Sequence, residues 1–111
     1  MSFYQNIIPV QIAAAAVTTS TTTIYTVPAA TRTIIKDINI TAGSSITVTI
    51  YFVPSGGTAG TGNIFLNVVP VNTGASYFHW VGTQILQPGG TIQVVASGTG
   101  SNIFISGGEA T

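Results

Sequence analysis

Cysteine is absent from this 111-residue chain, and charge is nearly so: two basic and two acidic side chains amount to 4% of residues, with a formal net charge of zero. Without cysteine there is no disulfide framework, no thiolate nucleophile and no zinc–sulfur site. The two cations, Arg32 and Lys36, cannot supply the several phosphate contacts on which nucleic-acid affinity rests, so nucleic acid is not an expected partner. Long apolar runs are missing as well. The stretch 12–17 falls far short of the roughly 20 residues of a membrane-spanning helix, and no lysine or arginine precedes Arg32 to form the positive start of a secretory signal. An outer-membrane barrel would be expected to bring such a signal, with strands of about 9–11 residues and aromatic girdles. No membrane partner is therefore expected, and the chain reads as made in a cytoplasm and used or assembled there.

What is present is apolar and β-branched. At 45% hydrophobic the chain is not a disordered one, since disorder combines low hydrophobicity with high charge, and its length suits one domain. A surface with so few charges does little to keep copies apart. Part of it is expected to be covered by another chain, the alternative being a soluble monomer whose threonine and serine hydroxyls stand in for charge.

Isoleucine and valine far outnumber leucine, found only at Leu66 and Leu86. Such residues lose side-chain freedom in helices and pack well on a pleated surface, which argues an all-β protein. Clusters of Gly, Pro, Ser and Asn at 41–45, 54–63, 70–76, 87–90 and 97–102 punctuate the chain, and predict strands at 10–17, 22–27, 33–40, 46–53, 64–69, 77–85, 91–96 and 103–106. Alternation is cleanest at 46–53, where Ile46, Val48, Ile50 and Phe52 share one face and Thr47, Thr49 and Tyr51 the other. Around Lys36 the parity fails, because Ile34, Ile38 and Ile40 would carry it inward; a bulge resets the register there, or the lysine snorkels past the sheet edge. About eight strands without a helix must pair two sheets or close a barrel. The expectation is a single-domain antiparallel β-sandwich, jelly-roll-like, over residues 10–111, preceded by an N-terminal arm at 1–9. With almost no lysine to blunt its edge strands, the sandwich is expected to cover them with another subunit. The arm, with Phe3, Tyr4, Ile7 and Ile8, either completes the chain's own sandwich or adds a strand to a neighbour.

Little in the row carries chemistry. Asp37 and Glu109 are the only carboxylates and lie far apart in sequence, with nothing to mark a catalytic pair. His79 is the sole histidine, and no Gly-x-Ser-x-Gly elbow accompanies it. His79, Asp37 and Glu109 lack metal-ligand spacing, which leaves only a site shared between subunits on a symmetry axis. The glycine-rich stretch 55–63 lacks both the Gly-Lys-Ser/Thr ending and the Gly-x-Gly-x-x-Gly spacing, and no helix is predicted to follow, so it reads as a strand-to-strand loop rather than a phosphate cradle. Tyr77, Phe78 and Trp80 form an aromatic cluster for core or contact packing. A sugar platform on Tyr77 and Trp80, with Asn72, Gln84 and Gln87 as polar partners, is the competing reading. No enzyme activity, cofactor or metal is expected.

Several segments together carry a resemblance. Ile24-Tyr25-Thr26-Val27-Pro28-Ala29 leads to Lys36-Asp37-Ile38-Asn39-Ile40. Val48-Thr49-Ile50-Tyr51-Phe52-Val53-Pro54-Ser55-Gly56-Gly57-Thr58-Ala59 follows, then Leu86-Gln87-Pro88-Gly89-Gly90-Thr91-Ile92 and the ending Ile105-Ser106-Gly107-Gly108-Glu109. The chain resembles the small all-β virion proteins of tailed bacteriophages, among them head decoration (cement) and fibre-associated proteins, over 24–111 and on turn and strand signatures. The resemblance implies a homotrimer that sits between capsid hexamers, binds the major capsid protein and stabilises the head from the virion's outer surface. The family often has a charged residue where this chain has Gly90, so an acidic docking contact is missing here. A tail, baseplate or head-fibre module and a carbohydrate-binding module are the alternatives. The expected assembly residues are Phe3, Tyr4, Ile7 and Ile8 in the arm, Tyr77 and Trp80 at a contact, and Arg32 and Glu109 as scarce charges that pair across subunits.

Overall fold

The computed structural model describes residues 7–43, 45–71 and 78–111. Within them lie eight strands: β1 (Ile7–Val17), β2 (Thr22–Thr26), β3 (Arg32–Ala42), β4 (Ile46–Val53), β5 (Ile64–Val71), β6 (Phe78–Leu86), β7 (Thr91–Ala96) and β8 (Ser101–Ala110). They form two four-stranded sheets, β1-β8-β3-β6 and β2-β7-β4-β5. The antiparallel pairs β1·β8, β2·β7, β3·β6 and β4·β5 nest like one long hairpin, and β8·β3 and β7·β4 roll it into two layers. That connectivity is the jelly roll, so the expected all-β sandwich is the observed one.

The layers meet on the β-branched faces. Ile35, Ile38 and Ile40 of β3 and Ile103 and Ile105 of β8 are fully buried against Val48 and Ile50 of β4 and Ile92 and Val94 of β7. Each such side chain contributes about 1.5–3 kcal/mol by leaving water. The parity conflict at Lys36 is resolved by a bulge. The register of β3 slips between Ile35 and Asp37 against both neighbours, which leaves Lys36 exposed while Ile35 and Ile38 both stay inside. An extra residue flips the pleat, and a sheet with one buried face selects the register that spares the charge.

Among the strand limits that differ from expectation, two matter most. The limit set between residues 9 and 10 falls inside β1, because Ile7, Ile8 and Pro9 pair with Ala110, Glu109 and Gly108. Pro9 is tolerated because β1 is an edge strand, where a missing N–H need not break a ladder. Residues 1–6 lie outside the described residues. β8 also outruns its expected end at 106, continuing through Gly107 and Gly108 between β1 and β3. A Cβ on Gly107 would stand 1.8 Å from the Ile34 carbonyl oxygen, so β3 passes too close there for any side chain. The loop 55–63 is organised by Asn63, whose Nδ2 donates to the Thr58 carbonyl and whose Oδ1 accepts from the Gly60 N–H.

Candidate assembly surface

The outward face of the β1-β8-β3-β6 sheet is where the chain departs from an ordinary soluble surface. On β8 the buried Ile103 and Ile105 alternate with outward Asn102, Phe104 and Ser106. On β6, His79, Val81, Thr83 and Ile85 point outward beside Asn39, Asp37, Lys36 and Ile34 of β3. Among the described residues, six large hydrophobics are exposed: Ile7, Ile8, Val68, Val81, Ile85 and Phe104. Four of them, Ile7 (61%), Val81 (67%), Ile85 (55%) and Phe104 (43%), lie on this face. The opposite sheet turns Thr47, Thr49, Tyr51, Thr91 and Gln93 outward, with Val95 among them and Val68 exposed on β5.

Scarce charge gathers on the same apolar face. His79 Nε2 lies 2.8 Å from Asp37 Oδ2, and Asn39 Nδ2 donates to Asp37 Oδ1 at 2.6 Å. Lys36 Nζ donates to Thr83 Oγ1 at 2.8 Å. The fold thus brings the sole histidine beside one of the two carboxylates, on the outward face of the sheet, with His79 and Asp37 38% and 33% exposed. Among the described residues no three of His, Asp and Glu come together as metal ligands.

A groove of about 380 Å³ opens on this face over Gly107 and Gly108, walled by Ile7 and Pro9 on one side and by Ile34, Lys36 and Thr83 on the other. A second of about 290 Å³ lies at one end of the sandwich between Pro54, Ser55, Gln84 and Gln87, with Phe52 and Ile85 as apolar walls.

The expected assembly residues fall into three groups. Phe3, Tyr4 and Tyr77 lie outside the described residues. Ile7 and Ile8 are exposed on the edge strand β1. Arg32, Trp80 and Glu109 have partners within the chain. Arg32 Nε donates to Gln87 Oε1 at 3.3 Å. Trp80 is half-buried with its strand partner Ile38 on the core side, and its ring meets Phe65 edge-on at 5.1 Å, while Phe65 stacks on Phe52 at 4.2 Å. This aromatic ladder closes the seam between β6 of one sheet and β5 of the other. Glu109 turns inward and accepts from the Tyr25 hydroxyl at 2.5 Å, with Thr33 Oγ1 2.7 Å from the same hydroxyl. Burial, and next the bond to Glu109, push Tyr25 up from 10.0 to about 12.

Sequence reasoning missed the outward set of Val81, Ile85 and Phe104. Alternation around Ile103 and Ile105 does place Phe104 outside, but only the pairing of β6, β3 and β8 shows these residues to be neighbours.

No known family matches this sequence, and no curated protein resembles it in sequence. Solved structures share the fold. A chain of the Bacillus endospore appendages, a family of disulfide-linked pili, superposes with a TM-score of 0.56 at 19% identity, covering 96% of this chain and 89% of that one. A chain in the structure of infectious bursal disease virus, Gx strain, gives a TM-score of 0.50 at 13% identity over 98% of this chain, which spans 32% of the viral one.

Proposed function

We propose that the chain is a non-enzymatic structural subunit that works as part of an assembly. The observation that carries this reading is one sheet face and one edge strand rich in exposed apolar side chains, on a chain with almost no charge to hold copies apart. Its specific form is a capsid decoration (cement) protein of a tailed bacteriophage, a homotrimer bound to the major capsid protein on the outer surface of the head. Ile7 and Ile8 would lead an arm containing Phe3 and Tyr4 on to a neighbouring edge strand, supplying apolar burial and main-chain pairing. Tyr77 would add to the contact. Arg32 and Trp80 would join the contact beside their partners in the chain, and Glu109, turned inward to Tyr25, would support it by tying the two sheets together.

A filament subunit is the second reading, favoured by the superposition on an appendage chain over nearly the full length of both. Without cysteine, such a filament would be held by non-covalent contacts alone. Native mass and electron microscopy of the purified chain separate the two. A closed trimer that binds empty phage heads supports the decoration role, and open polymers support the filament. A persistent monomer that binds no shell would sink both.

A further inference from the structure

We propose that the cleft at the end of the sandwich, where β6 outruns the opposite layer, binds a terminal sugar ring of an uncharged glycan. Such binding is separate from the assembly role above and does not depend on it.

A polar side chain stands there where the pleat calls for an apolar one. Gln84 lies directly opposite Ile35, which is fully buried, and directly opposed residues share a face. Gln84 therefore belongs to the inward set of β6 with Trp80 and Leu86, which oppose the buried Ile38 and Thr33. It is nevertheless exposed, because the other layer stops short. Pairing of β5 with β4 ends at Ile64 and Tyr51, with the Phe52 N–H donating to the Asn63 carbonyl at 3.0 Å just beyond. Past that row β5 does not cover β6, and the gap is the cleft of about 290 Å³. A glutamine at an inward position of a sandwich breaks the apolar–polar pattern in a way that packing does not explain.

The mouth of the cleft is pre-formed. Gly89, at φ 82°, lies so close to Ser55 that a Cβ would stand 2.6 Å from the serine Oγ. The turn 87–90 is thus seated on the loop that follows β4. The Gly89 N–H donates to the Val27 carbonyl at 3.1 Å, and the Val27 N–H donates to the Gly90 carbonyl at 2.8 Å. Arg32 Nε donates to Gln87 Oε1 at 3.3 Å, which orients that amide and spends none of the donors on its Nε2. Groups already held in place lose little freedom when a ligand arrives.

The lining selects the class of ligand. Gln84, Gln87 and Ser55 offer amides and a hydroxyl, each able to donate and to accept, while Phe52, Pro54 and Pro88 offer ring surface. Phe65 stacks on one face of Phe52, and the rest of that ring lines the cleft. A pyranose has the matching surface, with hydroxyls around its rim and C–H groups on its faces. No lining residue is charged, so an ionic ligand finds no counter-charge. A wholly apolar ligand would bury the Gln84 amide unpaired. The volume falls just under the range of about 300–1,000 Å³ for small-ligand pockets, which is room for one ring rather than a long chain.

The test is amide NMR of the full chain. The titrants are neutral oligosaccharides of glucose, galactose, mannose and N-acetylglucosamine, their sialylated counterparts, and a proline-rich peptide. At least one neutral saccharide should shift the side-chain amides of Gln84 and Gln87 saturably. Gln84→Leu should weaken that binding by about tenfold or more, with the melting temperature held or raised because leucine restores the apolar pattern. A glutamine with a merely structural role would lose stability instead. Tyr77→Ala should leave binding unchanged, which separates this cleft from a platform on that tyrosine. No saturable shift with any neutral saccharide, or binding untouched by Gln84→Leu, would overturn the site. A response to the sialylated sugars or the peptide alone would overturn the neutral-sugar class. Shifts of the same amides on changing the protein concentration alone would give the cleft to a second copy and overturn it as well. A chain that assembles yet binds no saccharide would leave the assembly role standing without this site, and a monomer that binds saccharide would do the reverse.

Discussion

The hydroxyl of Tyr25, on β2 of one sheet, donates to Glu109 Oε2, on β8 of the other, at 2.5 Å. Because the tyrosine proton goes to the carboxylate, the Thr33 hydroxyl 2.7 Å away donates its own proton to the tyrosine oxygen. A polar three-residue cluster thus ties the two layers at a place where the hydrophobic core gives out.

Alkaline stability should report this tie. Tyr25 ionises near 12 in the folded protein and near 10.0 when free, so the native state holds its proton more tightly than the unfolded one. The stabilisation is complete below pH 10 and is lost as pH rises from 10 towards 12. Urea unfolding of the parent should show that fall, and Tyr25→Phe should lack its share of it. At pH 7 the same variant should be less stable by about 1–2 kcal/mol, the usual scale for a hydrogen bond to a charged group at a partly wet site.

Trp80→Ala should open the seam between β5 and β6. Buried Trp→Ala changes cost about 3–5 kcal/mol, and a half-buried ring that still spans the two sheets should cost about 2–3. A melting temperature equal to the parent's would mean that the Phe65–Trp80 contact holds nothing. It would also return Trp80 to the sugar-platform reading.

The two glycines of β8 should differ sharply. A methyl group at Gly107 would meet the Ile34 carbonyl oxygen at 1.8 Å, whereas at Gly108 the nearest atom is a side-chain carbon of Ile7 at 3.2 Å. Gly107→Ala should therefore cost several kcal/mol, about 3 or more, since β3 must move away. Gly108→Ala should cost about 1 or less. Equal losses in chemical denaturation would contradict the close approach.

Val68 carries strain that can be removed. Its φ is 50°, a left-handed value that a β-branched residue adopts only at a cost. It sits where β5 slips register against β4, with its N–H donating to Thr49 Oγ1 at 3.1 Å. The side chain is 55% exposed and little packing opposes its loss. Val68→Gly should raise stability by about 0.5–1.5 kcal/mol, read as a higher denaturation midpoint. A drop would mean that the valine side chain serves a contact worth more than the strain.

Much of the fold could be read from local pattern. The eight strands follow from β-branched runs between turn residues, and β4 and β7 have the predicted bounds, because alternation within a strand is a local property. The ends of β1 and β8 were not legible. Pro9 and the Gly107–Gly108 pair look like punctuation, and they lie in strands only because an edge tolerates the proline and a close neighbour requires a glycine. Of the scarce charges, Arg32 and Glu109 were expected to face each other across subunits. Within the chain Glu109 accepts from Tyr25, 84 positions away in sequence, a partner that no spacing rule selects.

By itself, then, the sequence determined a cysteine-free, nearly uncharged all-β sandwich and the division of each strand into an inner and an outer face. Composition sets the solvent-facing chemistry, and a period of two sets the faces. Only the tertiary structure decided which outer faces become neighbours. Val81, Ile85, Phe104 and Ile7 come from three separate strands, and long-range pairing alone gathers them beside Lys36 and Asp37 on one sheet. Strand order is fixed by how two layers bury their isoleucines together, a property of the whole chain that no local window contains.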